Sequence, residues 1–506
     1  MTFRSNNLAG SREEIMKTGR NRFQRSVVVI SIGAFAWLCV LCLIGTQLRA
    51  QVSNSYTPGV DVSLYTYETY TDWLHKYAAA KPDFKPGDVL TTKDLERLRP
   101  FVPPGYFEQL NFPEFKAAID TTEDWTPVQA YMDCTEKYSA QVRLNPDHTL
   151  ANYTCGRPFP DIRAGDPDAG IKATWNFEYR WQNYGTALLN LFWIWSRPGP
   201  GHADMVSELQ PVLPPEAWDL TYATFGIKTK WPTDQDLQAM YRGGGTFQRI
   251  LNSSHQRVYF THLAQLPDHT LPMAGAQDFE YKEFTAFFSP YDIRGTGFII
   301  FRYDDPYRAD DAWVYIPTIR RVRRASAEVR SDSLLGTDNT LDDFYGYSGH
   351  EVEWNFQFLG WKDILLPVAR RDYAYLYGSE GMVPDSAWQM RRAGLVYRTS
   401  KNPRYPETCL MFWDAQTFGT SYYFNFDVKR RLWKTNFYWS ERIDSVKDFG
   451  ELVRGLHLPQ FVSHNIVNVQ NNRGTIETFT GLFFPNLDVK HTQKLYDINQ
   501  LEQVHR

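Results

Sequence analysis

The sequence carries almost no excess charge. Its 54 lysines and arginines stand against 58 aspartates and glutamates, a net of −4 over 506 residues. Proteins that grip nucleic acid present a basic face to the phosphates, so this balance gives no reason to expect such a partner. Cysteine is also scarce, with five in the chain. Two of them, Cys39 and Cys42, lie in an apolar stretch. Cys134 and Cys155 have neither a CxxC neighbour nor a local histidine pair, so they do not read as a zinc site. Long apolar runs are limited to residues 26–48, which argues against a body built of membrane-spanning helices. No fixed-period repeat, low-complexity tract or cofactor-binding motif stands out, and no cofactor is expected.

The one long apolar run follows a basic flank of Arg4, Arg12, Lys17, Arg20, Arg22 and Arg25. Residues 1–50 therefore read as a targeting segment, and two readings stay open: a cleaved secretory signal, or an uncleaved anchor touching the membrane. Both place residues 51–506 outside the cytoplasm, because the basic flank stays inside. In that oxidising setting Cys134 and Cys155 read as a disulfide, whose loop contributes about 3 kcal/mol in the chain-entropy model. Cys409 is left over and reads as a buried thiol.

Aromatic residues are abundant, at 16 % of the chain, and they favour pleated, half-buried surfaces. Residues 51–84 read as a linker and a short helix, "YETYTDWLHKYAAA". "KPGDVLTTKDLERLRPFVPPGYFEQL" reads as a turn and a second helix stopped by Pro103 and Pro104. Two more short helices are expected within 205–250, in "PPEAWDLTYATFG" and "PTDQDLQAMYRGGG". Beyond about residue 245, strand follows strand. In "VEWNFQF", Val352, Trp354, Phe356 and Phe358 share a face. Tyr422, Phe424 and Phe426 share another, as do Trp433, Phe437 and Trp439. "GTGFIIFRYDDPYRADDAWVYIPTIRRVRR" reads as two strands around an acidic loop, apolar on both faces and therefore central. The fold class is mainly β (α+β): a curved antiparallel sheet or half-barrel wrapped around a few helices, with a helical N-terminal region.

"GTDNTLDDFYGYSGHEVEWNFQFLG" (336–360) concentrates acids, a serine and a histidine. Ser348 and His350 suggest a hydrolase, but the G-x-S-x-G elbow is broken and the segment runs into a strand instead of a helix. An EF-hand loop starting at Asp338 would require glycine where Asp343 stands and glutamate where Gly349 stands, so calcium is not expected. His255, His262 and His269 recur every seven residues, a spacing that alternates faces on a strand and gives no metal site. Arg320, Arg321, Arg323 and Arg324 form a cluster with two readings: ion pairs with nearby acids such as Asp338, Asp342 and Asp343, or recognition of an anionic head group.

Several of these stretches resemble the DUF1329 family of secreted proteobacterial proteins, many of them labelled outer-membrane lipoprotein-sorting proteins. The matching segments are "KPGDVL" (85–90), "NYTCGRPFPDI" with "DPDAGIKATWNFEYRW" (152–181), "GTGFIIFRYDDP" and "DDAWVYIPTIRRVRR" (295–324), and 336–360. The middle part is also similar to the lipoprotein carrier LolA. The resemblance implies one LolA-like β-rich domain over 85–506, a half-barrel holding acyl chains, and a location in the periplasm. It also implies partnership with a resistance-nodulation-division-type exporter and an outer-membrane β-barrel. It brings no catalytic residue. The expected function is a carrier for a lipid or other hydrophobic molecule. Its cavity lining is expected from alternation alone to include Trp354, Phe356, Phe358, Phe424, Phe426, Trp433, Phe437 and Trp439, although the aromatics alternatively just fill a core. Other readings are an outer-membrane structural partner or barrel component, and a periplasmic hydrolase.

Overall fold

The computed structural model describes residues 59–197, 246–325, 332–369, 376–378, 382–402, 407–445, 453–479, 481–483 and 489–501. The apolar run at 26–48 and the two short helices expected within 205–250 lie outside the described residues. The strands begin with β1 (Val89–Thr91), β2 (Lys116–Ile119), a small hairpin of β3 (Arg143–Leu144) and β4 (Leu150–Ala151), and β5 (Gly185–Arg197). There follow β6 (Thr246–Tyr259), β7 (Phe279–Ser289), β8 (Gly297–Tyr303), β9 (Asp311–Ile316) and β10 (Arg321–Ala325). Then come β11 (Trp354–Val368), the short β12 (Leu376–Tyr377) and β13 (Val383–Pro384), β14 (Ala387–Ser400), β15 (Thr408–Asp414) and β16 (Thr420–Phe426). The last are β17 (Leu432–Arg442), β18 (Pro459–Asn468), β19 (Arg473–Thr478) and β20 (Gly481–Phe483). Helices α1 (Tyr67–Lys76), α2 (Leu95–Leu98), α3 (Gln129–Tyr138), α4 (Ala169–Glu178) and α5 (Val489–Leu495) complete the elements used below.

Sixteen strands form one sheet. Two antiparallel meanders, β5 to β10 and β14 to β19, join edge to edge where β19 pairs with β5. The sheet also curls. β11 pairs with β14 along its length and meets β17 at a parallel bridge between Val368 and Ser440. Strands β14 to β17 therefore bend until the first and the last share a neighbour. The chain is thus mainly β, with a large curved sheet and few helices, as its alternating aromatics predict.

Both faces of the β14 to β17 part of this sheet are covered, which is why those strands are apolar on both sides. On one face, Tyr70 of α1 packs on Phe424 and Phe426 at ring distances of 4.8 and 5.6 Å, and Tyr106 packs on Phe437 at 5.0 Å. Residues 67–76 are therefore part of the main core, where composition suggested a helix on a linker: Tyr70 and Trp73 are buried. On the other face, α4 lies against β11. A Cβ at Gly170 would stand 2.3 Å from the Phe356 carbonyl oxygen, so only glycine permits this approach. The pair of strands expected to be central is placed differently. β8 is mostly buried, but β9 is half-buried and β10, among the described strands, is the sheet's edge and pairs with β9 alone.

The disulfide between Cys134 and Cys155 is formed, and Cys409 is a buried free thiol, both as expected. Among the described residues no helix is long and apolar enough to cross a membrane.

Candidate ligand-binding cavity

Alternation along β6, β7 and β8 aims every second side chain at the same side of the sheet. Register then brings His255 opposite Thr285 and Thr285 opposite Phe298, while Glu283 stands opposite Ile300. These residues wall a cavity of about 750 Å³, part of it open to solvent. Trp193, Phe287, Phe298 and Ile300 supply its apolar wall, and Ala312 and Ala325 leave room where larger side chains would fill it. The crossing segment between β10 and β11 forms its cover through Leu334, Leu341 and Phe344.

Around Glu283 and Asp310 the wall of the cavity is polar and buried. Arg257 Nε donates to Glu283 at 2.7 Å. Arg302 grips Asp310 with two nitrogens, at 2.7 and 3.2 Å, and His350 Nε2 lies 3.2 Å from the same carboxylate. Both arginines also hold the "GYSGH" turn. Arg257 Nη2 donates to Ser348 Oγ at 3.1 Å, and Arg302 donates to the Ser348 carbonyl at 2.6 Å and the Gly349 carbonyl at 3.2 Å. The turn is left-handed at Tyr345 (φ +59°) and Gly346 (φ +92°). A Cβ on Gly346 would lie 2.1 Å from Thr420 Oγ1, so glycine is required twice over there.

His255 stands between these two regions. Its Nδ1 is 2.9 Å from Thr285 Oγ1, whereas Nε2 has no hydrogen-bond partner; its nearest acid, Glu283, is 3.8 Å away. The ring packs edge-on against Phe344 at 4.9 Å. Burial is the main reason that its pKa falls to about 4, with Glu283 opposing and Arg257 assisting, so the imidazole is neutral. Further along the same buried layer, Glu280 and Glu351 are raised well above the usual carboxylate range, first by burial and next by Glu178.

The predicted lining residues lie elsewhere. None of the eight is among the side chains that wall this cavity. Phe424 and Phe426 are fully buried against Tyr70 of α1, Phe437 is fully buried against Tyr106, Trp439 is fully buried, and Trp433 is half-buried on the same strand as the last two. Trp354, Phe356 and Phe358 pack with α4, and the guanidinium of Arg398 lies 4.0 Å from the Trp354 ring. The even alternation is real, but helices occupy both faces there. The ion pairs expected for the acids also differ. Asp338 pairs with Arg473 at 2.9 Å. Asp343 accepts from Tyr423 at 2.6 Å, and its pKa is lowered: burial opposes this, but Lys434 and Arg398 outweigh it. Asp342 accepts through its carbonyl from the Ser348 amide at 2.9 Å. The reason is topological: Asp338 and Asp343 lie against β16 to β19, whereas the arginines sit at the far edge on and beside β10. Arg320, Arg321, Arg323 and Arg324 are all exposed, and Arg324 pairs with Asp311. Ser348, which the broken elbow argues against as a nucleophile, donates its hydroxyl to the Phe344 carbonyl at 2.7 Å. His255, His262 and His269 have separate surroundings: His262 bonds Asp304 at 2.7 Å, and His269 lies near Cys155.

Sequence reasoning missed His255, Glu283 and Asp310 as cavity residues. The available signal was "FEYKEFTAFFS", a strand in which charged residues interrupt an otherwise apolar run.

No curated protein sequence matches the chain. Among solved structures, the chain is similar to a domain assigned to an outer membrane lipoprotein-sorting protein of Vibrio parahaemolyticus, at 15% identity and a TM-score of 0.39. That match covers 67% of this chain and 100% of the other. A DUF1329 family protein from Desulfovibrio piger matches at 14% identity with a TM-score of 0.40, over 67% and 100% of the two chains. A LolA superfamily protein from Nitrosomonas europaea matches at 11% identity with a TM-score of 0.30, over 62% and 92%. At these scores they assign no residue a role. The family model described as "protein of unknown function (DUF1329)" matches residues 89–242 and 233–493, and the chain belongs to that family.

Proposed function

We propose that this protein carries a hydrophobic molecule in the cavity beneath β6 to β8, without chemical conversion. The observation that carries this reading is the cavity itself: an apolar wall of Trp193, Phe287, Phe298 and Ile300, closed by a segment whose contacts are hydrophobic. Burying a chain there is worth roughly 0.8 kcal/mol per CH₂ before the cost of ordering it. A carrier also gives Ser348 a structural role, its hydroxyl donating to the Phe344 carbonyl and accepting from Arg257. The disulfide fits an oxidising compartment, which supports the periplasm. Under the same proposal the carrier serves envelope transport, between a resistance-nodulation-division-type exporter and an outer-membrane partner. The segment 26–48 either is removed or tethers it. Among the described strands the sheet ends at β1 and at β10 without closing on itself, which favours this reading over a membrane barrel.

Native mass spectrometry of the chain from residue 51 tests the proposal. A bound apolar molecule is expected, and Ala312→Trp is expected to abolish it while the circular dichroism spectrum is retained. Equal ligand retention by Ala312→Trp would move the binding site elsewhere.

A further inference from the structure

We infer that the cavity selects ligands with an apolar body and one uncharged oxygen, an alcohol, ketone or ester, which accepts a hydrogen bond from His255 Nε2. The inference rests on the carrier reading and names its ligand class.

A buried polar nitrogen without a partner is uncommon and points to a missing one. His255 is 2 % exposed, lines the cavity, and leaves Nε2 unpaired. The imidazole is neutral, so one ring nitrogen carries the proton and the other accepts. The Glu283 carboxylate, 3.8 Å from Nε2, favours the proton on that nitrogen, and the Thr285 hydroxyl then donates to Nδ1. The free group is thus a donor, and its complement is an acceptor oxygen.

Charge decides which oxygen. The two acids on the wall, Glu283 and Asp310, are each matched by a buried arginine, Arg257 and Arg302. Those guanidiniums are also committed to the 348–349 turn. No unmatched cation lines the cavity among the described residues. An anionic head group would lose its hydration and meet two carboxylates, so it is disfavoured. An alkane satisfies the walls and leaves Nε2 unpaired. The uncharged oxygen is the only one of the three that satisfies both.

The test uses the chain from residue 51, stripped of bound lipid and titrated at pH 8 with 1-dodecanol, dodecane and dodecanoate. Dodecanol is expected to bind about 3- to 10-fold more tightly than dodecane, the value of one hydrogen bond, and dodecanoate more weakly than dodecanol. His255→Phe is expected to bring the alcohol-to-alkane ratio close to one, and His255→Gln, which keeps a donor, to restore part of it. If His255→Phe does not fold, Thr285→Val supplies the reading: loss of the group that orients the ring is expected to lower the same ratio. A preference for dodecanoate, or a ratio indifferent to these substitutions, overturns the inference while leaving the carrier intact. Failure of all three probes to bind overturns the carrier reading as well.

Discussion

Replacing Asp310 by asparagine would leave Arg302 charged and without its counter-ion inside the protein. Both side chains are almost wholly buried, at 2 % and 1 % exposed, and two hydrogen bonds of 2.7 and 3.2 Å join them. Breaking such a pair from one side costs about 3–5 kcal/mol, because the remaining charge keeps its desolvation penalty. That is a large part of the roughly 5–15 kcal/mol typical of folded proteins. Removing the exposed member of the Arg324–Asp311 pair, 70 % exposed, should cost under about 1 kcal/mol. Urea unfolding followed by tryptophan fluorescence compares Asp310→Asn with Arg324→Ala. The double variant Arg302→Met/Asp310→Leu should recover part of the loss, since it strands no charge although the Ser348 and Gly349 carbonyls lose their donor. Equal destabilisation by Asp310→Asn and Arg324→Ala, or a double variant worse than the single one, would refute the reasoning.

Loss of the disulfide through Cys134→Ser/Cys155→Ser should lower stability by about 3 kcal/mol, from the sequence separation of 21 it closes, measured by the same unfolding curves. Gly346→Ala should cost roughly 2–4 kcal/mol from a left-handed backbone and overpacking against Thr420, read as a lowered midpoint. His255 is neutral when folded and takes a proton below its ordinary pKa of 6.5 only when unfolded, down to its folded value of about 4. Its contribution is therefore full above pH 6.5 and falls by about 3 kcal/mol as pH drops to 4. The stability difference between wild type and His255→Phe isolates this change. Glu280 and Glu351, whose folded pKa values are raised, act in the opposite sense and cancel in that difference.

The sequence carried much of the architecture because its apolar alternation is strong where one strand face meets a helix. Trp354, Phe356 and Phe358 alternate with exposed Asn355 and Gln357 just as a half-covered strand requires. It could not say which apolar face encloses space. Phe424 and Phe426 obey the same alternation as Phe298 and Ile300, yet Tyr70 fills the first pair's surroundings and small alanines open the second's. That difference is set by which distant segment covers each face, and alternation within a strand does not record it. The acids at 338–343 failed for a related reason. Charge proximity in sequence suggested Arg321 and Arg323, but pairing across the sheet gave Asp338 to Arg473.

The junction between β5 and β19 sets an order on assembly. One edge of β5 is filled by β19 and β20, so Ser196 waits for Gly474 and Leu188 for Leu482. A chain delivered from its N-terminus can form the β5 to β8 meander early, but that meander keeps an unpaired edge until the last strands arrive. Such late, long-range closure slows folding and leaves an aggregation-prone rim in the interval. A newly made chain should therefore depend on holdase chaperones for longer than its size alone requires, and a truncation before β19 should yield aggregates rather than a smaller stable domain.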